Sequence, residues 1–306
     1  MHPDPRARRR ALQFLSLALT IACLAAALSA QQPDPKYPPT VVFMTDFGVV
    51  DDSVALCKGV MYSITPNLRI VDLTHQVTPY SIRDGARFLF GATPYFPAGT
   101  VFVVVVDPGV GGTRKPAIVK SRRGQFFVLP DNGLMTMVED RDGIESAREI
   151  TNQDWMIGAK ISSTFHGRDI FSPVGARVAR GDDWTQVGPE LKQLVRLDLE
   201  PPKVNGKGMT GEAFALDGPF GNVITNMDAD SFAQLGYQRG DRITITIAGR
   251  AIELPFVKTF SDVPLQRPLL FLDSRGRVSF AINQGSFAAT YKIAPPQTVF
   301  IPRKGH

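Results

Sequence analysis

The segment Thr100–Val106 reads TVFVVVV, a run with almost no polar side chain on either face. A strand sends successive side chains to opposite faces, so a run that is apolar on both must be covered on both. This excludes a sheet with one face in water and requires helices above and below it. The flanking segments supply them. Thr40–Asp46 (TVVFMTD) is a second apolar, β-branched run. After a turn at Gly48, Asp51-Asp52-Ser53 can cap a helix that runs to about Ile64. Leu68–Leu73 follows as a strand and Ser81–Ala92 as a helix. Phe126–Leu129 is then a strand, Leu134–Glu139 a short helix, and Ile170–Arg180 a helix entered from a Phe165–Asp169 loop. The alternation predicts a large N-terminal α/β domain over residues 38–197 with a mainly parallel central sheet.

The pattern changes at Asp198–Gly208 (DLEPPKVNGKG), where Pro, Gly and Lys cluster as in a linker. From residue 209 to 306 the apolar segments are short and closely separated by turns: Gly211–Leu216, Asn222–Asn226, Arg242–Ala248, Leu269–Leu272 and Val278–Ala281. These predict a small all-β domain, a barrel or a sandwich.

Residues 1–30 stand apart. Arg6, Arg8, Arg9 and Arg10 precede a charge-free run from Ala11 to Ala30 that ends in Ala27, Ser29 and Ala30. This is the pattern of an export signal cleaved near Ala30, which would make the mature protein periplasmic or secreted. Left uncleaved, the run is long enough to anchor the chain in a membrane. Without this segment the net charge falls from +5 to +2, with 30 Lys+Arg against 28 Asp+Glu. No basic face of the kind nucleic acid requires survives. Cys57 becomes the only cysteine, so no internal disulfide is expected.

Polar groups stand just after strands, where open α/β sheets collect ligands. They are Asp46, then Asp72 with His75, then Asp107 at the head of DPGVGGTR (Asp107–Arg114), then Asp131-Asn132-Gly133. One such group alone more often serves a turn than a reaction, but four at one sheet edge point to a cleft. His166 lies in STFHGRD (Ser163–Asp169), a polar, glycine-containing stretch suited to a loop facing that cleft. Other motifs carry no weight. Asp46-Phe47-Gly48 lacks the companion motifs of a kinase, and Gly109–Lys115 (GVGGTRK) fails the phosphate-loop spacing. His2, His75, His166 and His306 are too scattered for zinc, so no metal is expected.

Taken together, a series of strings resembles the S-adenosylmethionine (SAM) hydroxide adenosyltransferase family, relatives of the adenosyl-fluoride and adenosyl-chloride synthases. They are TDFG (Thr45–Gly48), KGVMYSITP (Lys58–Pro66), IVDLTH (Ile70–His75), DPGVGGTR, PDNGL (Pro130–Leu134), STFHGRD, DGPFGNVITN (Asp217–Asn226) and DSRGRVSFAIN (Asp273–Asn283). The resemblance implies an α/β domain followed by a β-barrel domain, in a homotrimer with the ligand at subunit interfaces. SAM would be the substrate and no cofactor would be needed.

By resemblance, the catalytic triad near the attacking water maps to Asp107, Arg114 and His166. The halogenating relatives depart from Asp and His at two of these positions and commonly carry serine at Gly167, so the pattern here points to water as nucleophile. The same resemblance assigns the ribose hydroxyls to Asp46, and the methionine end to Asp51, Ser53, Asp217, Ser274 and Arg275. Asn222 and the backbone around Asn283 would read the adenine edge, between Phe220 and Phe260. Tyr80 and Phe165 would wall the ribose and sulfonium. Two other functions fit the same binding groups: an adenosyl halide synthase, and a non-catalytic exported protein that binds SAM or adenosine.

Overall fold

The computed structural model describes residues 38–158 and 160–305, so the expectations for residues 1–30 lie outside it. The described chain divides into two compact units between Leu197 and Asp198. Among the described residues no helix is long and apolar enough to cross a membrane.

The first unit is a six-stranded sheet: β1 (Thr40–Thr45), β2 (Arg69–Thr74), β3 (Val101–Val105), β4 (Pro116–Ser121), β5 (Phe126–Pro130) and β6 (Ile144–Glu149), in the order β2-β1-β3-β5-β4-β6. Parallel pairing joins β2, β1, β3 and β5, whereas β4 runs antiparallel to both its neighbours. Helices α1 (Ser53–Ile64), α2 (Ile82–Ala92), α3 (Thr136–Asp142) and α4 (Ser172–Arg180) cover it.

The apolar run dictates this arrangement. Every residue of β3 is buried. Val101, Val103 and Val105 pack with Cys57 and Met61 of α1 and with Val174 and Val178 of α4. Phe102, Val104 and Val106 pack with Leu89 of α2 and Val138 of α3. One strand therefore feeds two cores, as period-two alternation requires.

Three local expectations are corrected. The stretch between Arg114 and Gly124, for which the sequence reading predicts no strand, contains β4, and β6 (IESARE) beside it is likewise not predicted. The apolar run of β4 is only Ala117–Val119, closed by Lys120, and β6 lies at the sheet edge, where one half-buried face suffices. Winding of the last helix begins at Gly167 as a π-turn through Phe171, not at Ile170. Asp52 makes no side-chain cap at the start of α1; Asp51 instead accepts the Ser53 N–H at 3.0 Å.

The second unit is an antiparallel sheet that nearly closes into a barrel. Its path runs β11 (Arg250–Pro255), β10 (Arg242–Ile247), β14 (Gln297–Pro302), β8 (Gly208–Asp217), β9 (Asn222–Asp228), β13 (Arg277–Ile282), β12 (Pro268–Leu272). A bridge between Phe256 and Leu270 links the two ends. Strand β10 (RITITI) alternates exposed and buried along its length, and its three isoleucines enter the core with Val223, Phe280 and Val299. A two-residue strand, β7 (Lys203–Val204), pairs with β8, so part of the Asp198–Gly208 segment belongs to this unit's sheet.

Candidate active site

Strands β1 and β3 are parallel neighbours, so Asp46 and Asp107, each just past a strand's C-terminal end, emerge on the same edge. They line one cavity of about 360 Å³ in the first unit, with Phe47, Tyr80, Phe165 and His166. The other strand-end groups take no part in its lining. Asp131 accepts the Val195 N–H at 2.8 Å, and burial raises its carboxyl above the ordinary range. Asn132 donates to the Val106 carbonyl at 2.9 Å, bracing the residue next to Asp107. Asp72 and His75 pair with each other at 3.0 Å.

The loop after β3 folds back so that Arg114 meets the carboxylate that opens it. Arg114 Nε donates to Asp107 Oδ1 at 2.9 Å and to Oδ2 at 3.0 Å, and Nη2 also reaches Oδ2. Both side chains are nearly excluded from solvent, at 10% and 5% exposure, so the pair is held in a medium where charges interact strongly. Phe171 lies beneath the guanidinium, 5.4 Å from its ring centre.

The same Nη2 lies 2.6 Å from His166 Nδ1. A guanidinium can only donate, so Nδ1 carries no proton and the imidazole is the neutral Nε2–H tautomer. Burial and then the neighbouring Arg114 charge lower the His166 pKa below its ordinary value of 6.5, which agrees with the contact geometry. Asp107, Arg114 and His166 thus form one connected cluster with the cation in the middle.

Two further contacts fix the His166 loop. Asp169 accepts the Ser162 N–H at 2.8 Å and pairs with Arg168 at 2.6 Å. Burial alone would raise the Asp169 pKa, but these partners outweigh it and the carboxyl is lowered. Gly111, at φ +73°, passes so near Ser163 that a Cβ would sit 2.2 Å from its carbonyl oxygen. That contact brings the Arg114 loop against the His166 loop. Gly167 is similarly confined: a Cβ there would lie 2.8 Å from Phe47 Cζ, and Phe47 meets Phe165 edge-on at 5.8 Å. Phe47 was absent from the sequence-derived site; its place directly after Asp46 was the available signal.

Asp46 Oδ2 accepts the Tyr80 N–H at 2.9 Å, leaving Oδ1 for a ligand, while Tyr80 is held at φ 66° with 75% of its surface exposed. A bulky residue with positive φ is strained, and such strain gathers at ligand sites. Asp51 and Ser53 lie outside the cavity lining, bonded to each other. The Ser53 backbone and hydroxyl hold the Asp51 carboxyl below its usual range.

The second unit has its own cavity of about 710 Å³, lined by Asp217, Phe220, Asn222, Phe260, Asn283 and the turn Gln284–Ser286. Phe220 is 67% exposed, an aromatic face open to a planar partner. Asn222 donates to Asp217 at 3.3 Å. The Asn283 side chain is anchored by one hydrogen bond, from Nδ2 to the Val263 carbonyl at 2.8 Å. Ser274 and Arg275 occupy the exposed turn between β12 and β13 and do not line the cavity.

A mainly parallel α/β sheet with a charged cluster at the C-terminal ends of its parallel strands, followed by a small barrel-like β unit with an aromatic cavity, describes a two-domain small-molecule enzyme. The sequence models of the SAM hydroxide adenosyltransferase N-terminal and C-terminal domains match residues 41–188 and 211–300. The chain belongs to this family. It is 40% identical to a Salinispora tropica protein named (R)-S-adenosyl-L-methionine hydrolase, across 84% of this chain and 95% of the relative. A fluorinase of Actinopolyspora mzabensis is 31% identical, across 87% and 97%. The crystal structure of an uncharacterized conserved protein from Thermotoga maritima superposes with a TM-score of 0.81 at 35% identity, covering 85% of this chain and 99% of that one.

If His166 must be neutral to receive the Arg114 hydrogen bond, activity falls as pH drops through its lowered pKa, below 6.5. Stability follows the same sign. The folded state resists the proton that the unfolded chain binds, so His166 destabilises the fold progressively as pH falls from 6.5 through its lowered pKa. His166→Ala is expected to lower kcat about 100-fold and to remove that acid limb from the pH profile. An unchanged kcat at saturating substrate would take His166 out of the mechanism.

Proposed function

We propose that this protein hydrolyses SAM to adenosine and L-methionine by in-line attack of water on the ribose C5′. The Asp107–Arg114–His166 cluster carries this reading. Methionine leaves from a sulfonium as a neutral thioether, so the departing group needs no acid. The demand falls on the water, which must be aimed at C5′ and lose a proton as the C–O bond forms. His166 Nδ1 is occupied by Arg114, so the Asp107 carboxylate is the acceptor we assign to that proton. Arg114 fixes the carboxylate and favours hydroxide character in the attacking oxygen. His166, as the Nε2–H tautomer, holds Arg114 from the other side.

In this reading Asp46 Oδ1 takes the ribose hydroxyls and Tyr80 and Phe165 enclose the sugar and sulfonium. Phe220, Phe260 and Asn222 hold the base, while Asp51, Ser53, Asp217, Ser274 and Arg275 serve the amino-acid end. The resemblance to the family supports a homotrimer in which one subunit's N-terminal unit and its neighbour's C-terminal unit share a ligand, and Tyr80 and Phe220, exposed in the single chain, are then available to that ligand. Purified protein should then sediment as a trimer; a fully active monomer would contradict the shared site. Export rests on the pattern in residues 1–30, and places the mature N-terminus near Gln31.

The decisive assay incubates the protein with each sulfur epimer of SAM, with and without molar chloride, and identifies the nucleoside. An anionic Asp107 repels a halide and accepts a hydrogen bond from water, so adenosine is expected in both salts. A dominant chlorinated nucleoside would make it a halide synthase, and tight binding without turnover would make it a binding protein.

A further inference from the structure

Beneath Asp46 lies a line of polar contacts that the proposed chemistry does not use. Thr45 is fully buried, yet its hydroxyl lies 2.9 Å from His75 Nδ1 and accepts the Phe47 N–H at 3.2 Å. His75, 8% exposed, meets Asp72 through Nε2 at 3.0 Å, and Asp72 receives Lys58 Nζ at 2.6 Å. Lys58 and His75 outweigh the effect of partial burial on Asp72 and hold its carboxyl below the ordinary range.

The donors and acceptors order themselves. Ionised Asp72 only accepts, so His75 Nε2 donates to it, and in the neutral imidazole Nδ1 accepts from the Thr45 hydroxyl. That hydroxyl then turns its lone pairs to the Phe47 N–H. The sequence is Phe47 N–H to Thr45, Thr45 to His75, His75 to Asp72, with Lys58 neutralising the end. Phe43 meets the imidazole edge-on, with ring centroids 4.9 Å apart, and fixes the plane of His75.

His75 grips the turn a second time through its backbone, where its carbonyl accepts the Gly48 N–H at 2.7 Å. The Thr45 carbonyl receives the Val77 N–H at 3.3 Å, and Asp46 receives Tyr80. The Asp46–Gly48 turn is therefore clasped on both sides by residues 75–80.

We propose that His75 and Thr45 are positioning residues that aim Asp46 at the ribose, with Asp72 and Lys58 setting the tautomer of His75. The role rests on the SAM reading, because it is exerted through a substrate-binding carboxylate. A loosened turn costs binding more than chemistry, since Asp107, Arg114 and His166 stand on other segments and meet this turn through the packing of Phe47 beside Phe165 and Gly167.

Thr45→Val preserves shape and removes the hydroxyl; Thr45→Ser keeps the hydroxyl. The expected result for Thr45→Val is a KM for SAM raised about tenfold, with kcat lowered no more than about threefold. Amide hydrogen exchange at Phe47 and Gly48 should quicken in parallel. Thr45→Ser should stay within about twofold of the parent in KM and retain its exchange rates. His75→Leu should reproduce the Thr45→Val pattern. If the parent protein makes no adenosine from SAM, the functional reading falls and this role falls with it. If the parent is active but Thr45→Val keeps its KM and slow exchange, or Thr45→Ser behaves like Thr45→Val, the positioning role alone is overturned.

Discussion

Asp107→Asn is expected to lower kcat for adenosine formation about a thousandfold, with KM changed little. The amide keeps the size of the carboxylate but cannot take a proton from water. It also leaves Arg114, 10% exposed, without its counter-ion. Removing one member of a buried pair strands the other charge, so the loss exceeds that of a single hydrogen bond. Asp46 and the second unit's aromatic cavity, the proposed binding groups, are untouched, so substrate affinity is expected to hold. Steady-state assays over a range of SAM concentrations check this. A loss below tenfold, or one confined to KM, would mean that Asp107 binds rather than reacts.

Gly111→Ala has the second large effect, acting at a residue that takes no part in the chemistry. A methyl group at position 111 would stand 2.2 Å from the Ser163 carbonyl oxygen, on a backbone at φ +73°. That conformation alone costs an L-residue about 1–2 kcal/mol, and the overlap forces one of two loops to move. One loop ends in Arg114 and the other carries His166, so the 2.6 Å contact between them opens. A displacement near 1 Å in such a site costs about a hundredfold in rate. The expected outcome is a kcat lowered about that much together with a melting temperature several degrees lower. Parent-like kcat and melting would show that the two loops are held together by other means.

The two-unit plan could be read from the sequence because its signals are strong and local. Thr100–Val106 has no face for water, and the RITITI strand shows the opposite, one-sided pattern. The strands that escaped in the first unit, β4 and β6, carry charged side chains, and they owe their place to pairing rather than to composition; β7, β11 and β14 of the second unit escaped as well. At the site, Asp46, Asp107 and His166 stood out because strand ends and glycine-bearing loops collect ligands. What could not be read was the division of labour among similar groups. Asp131 looks like Asp107 in sequence, yet it ties down the Val195 backbone. His75 looks like a second catalytic histidine, yet it sits under the Asp46 turn. Spacing along the chain does not reveal which side of a strand end a carboxylate faces.

The central claim is that water, aimed by Asp107, attacks carbon rather than any other atom of SAM. Turnover in heavy-oxygen water, followed by mass spectrometry of both products, tests it most directly. The predicted result is one heavy oxygen at the 5′-hydroxyl of adenosine and none in methionine, with the same outcome in molar chloride. Label recovered in methionine, or a 5′-chlorinated nucleoside as the main product, would contradict it.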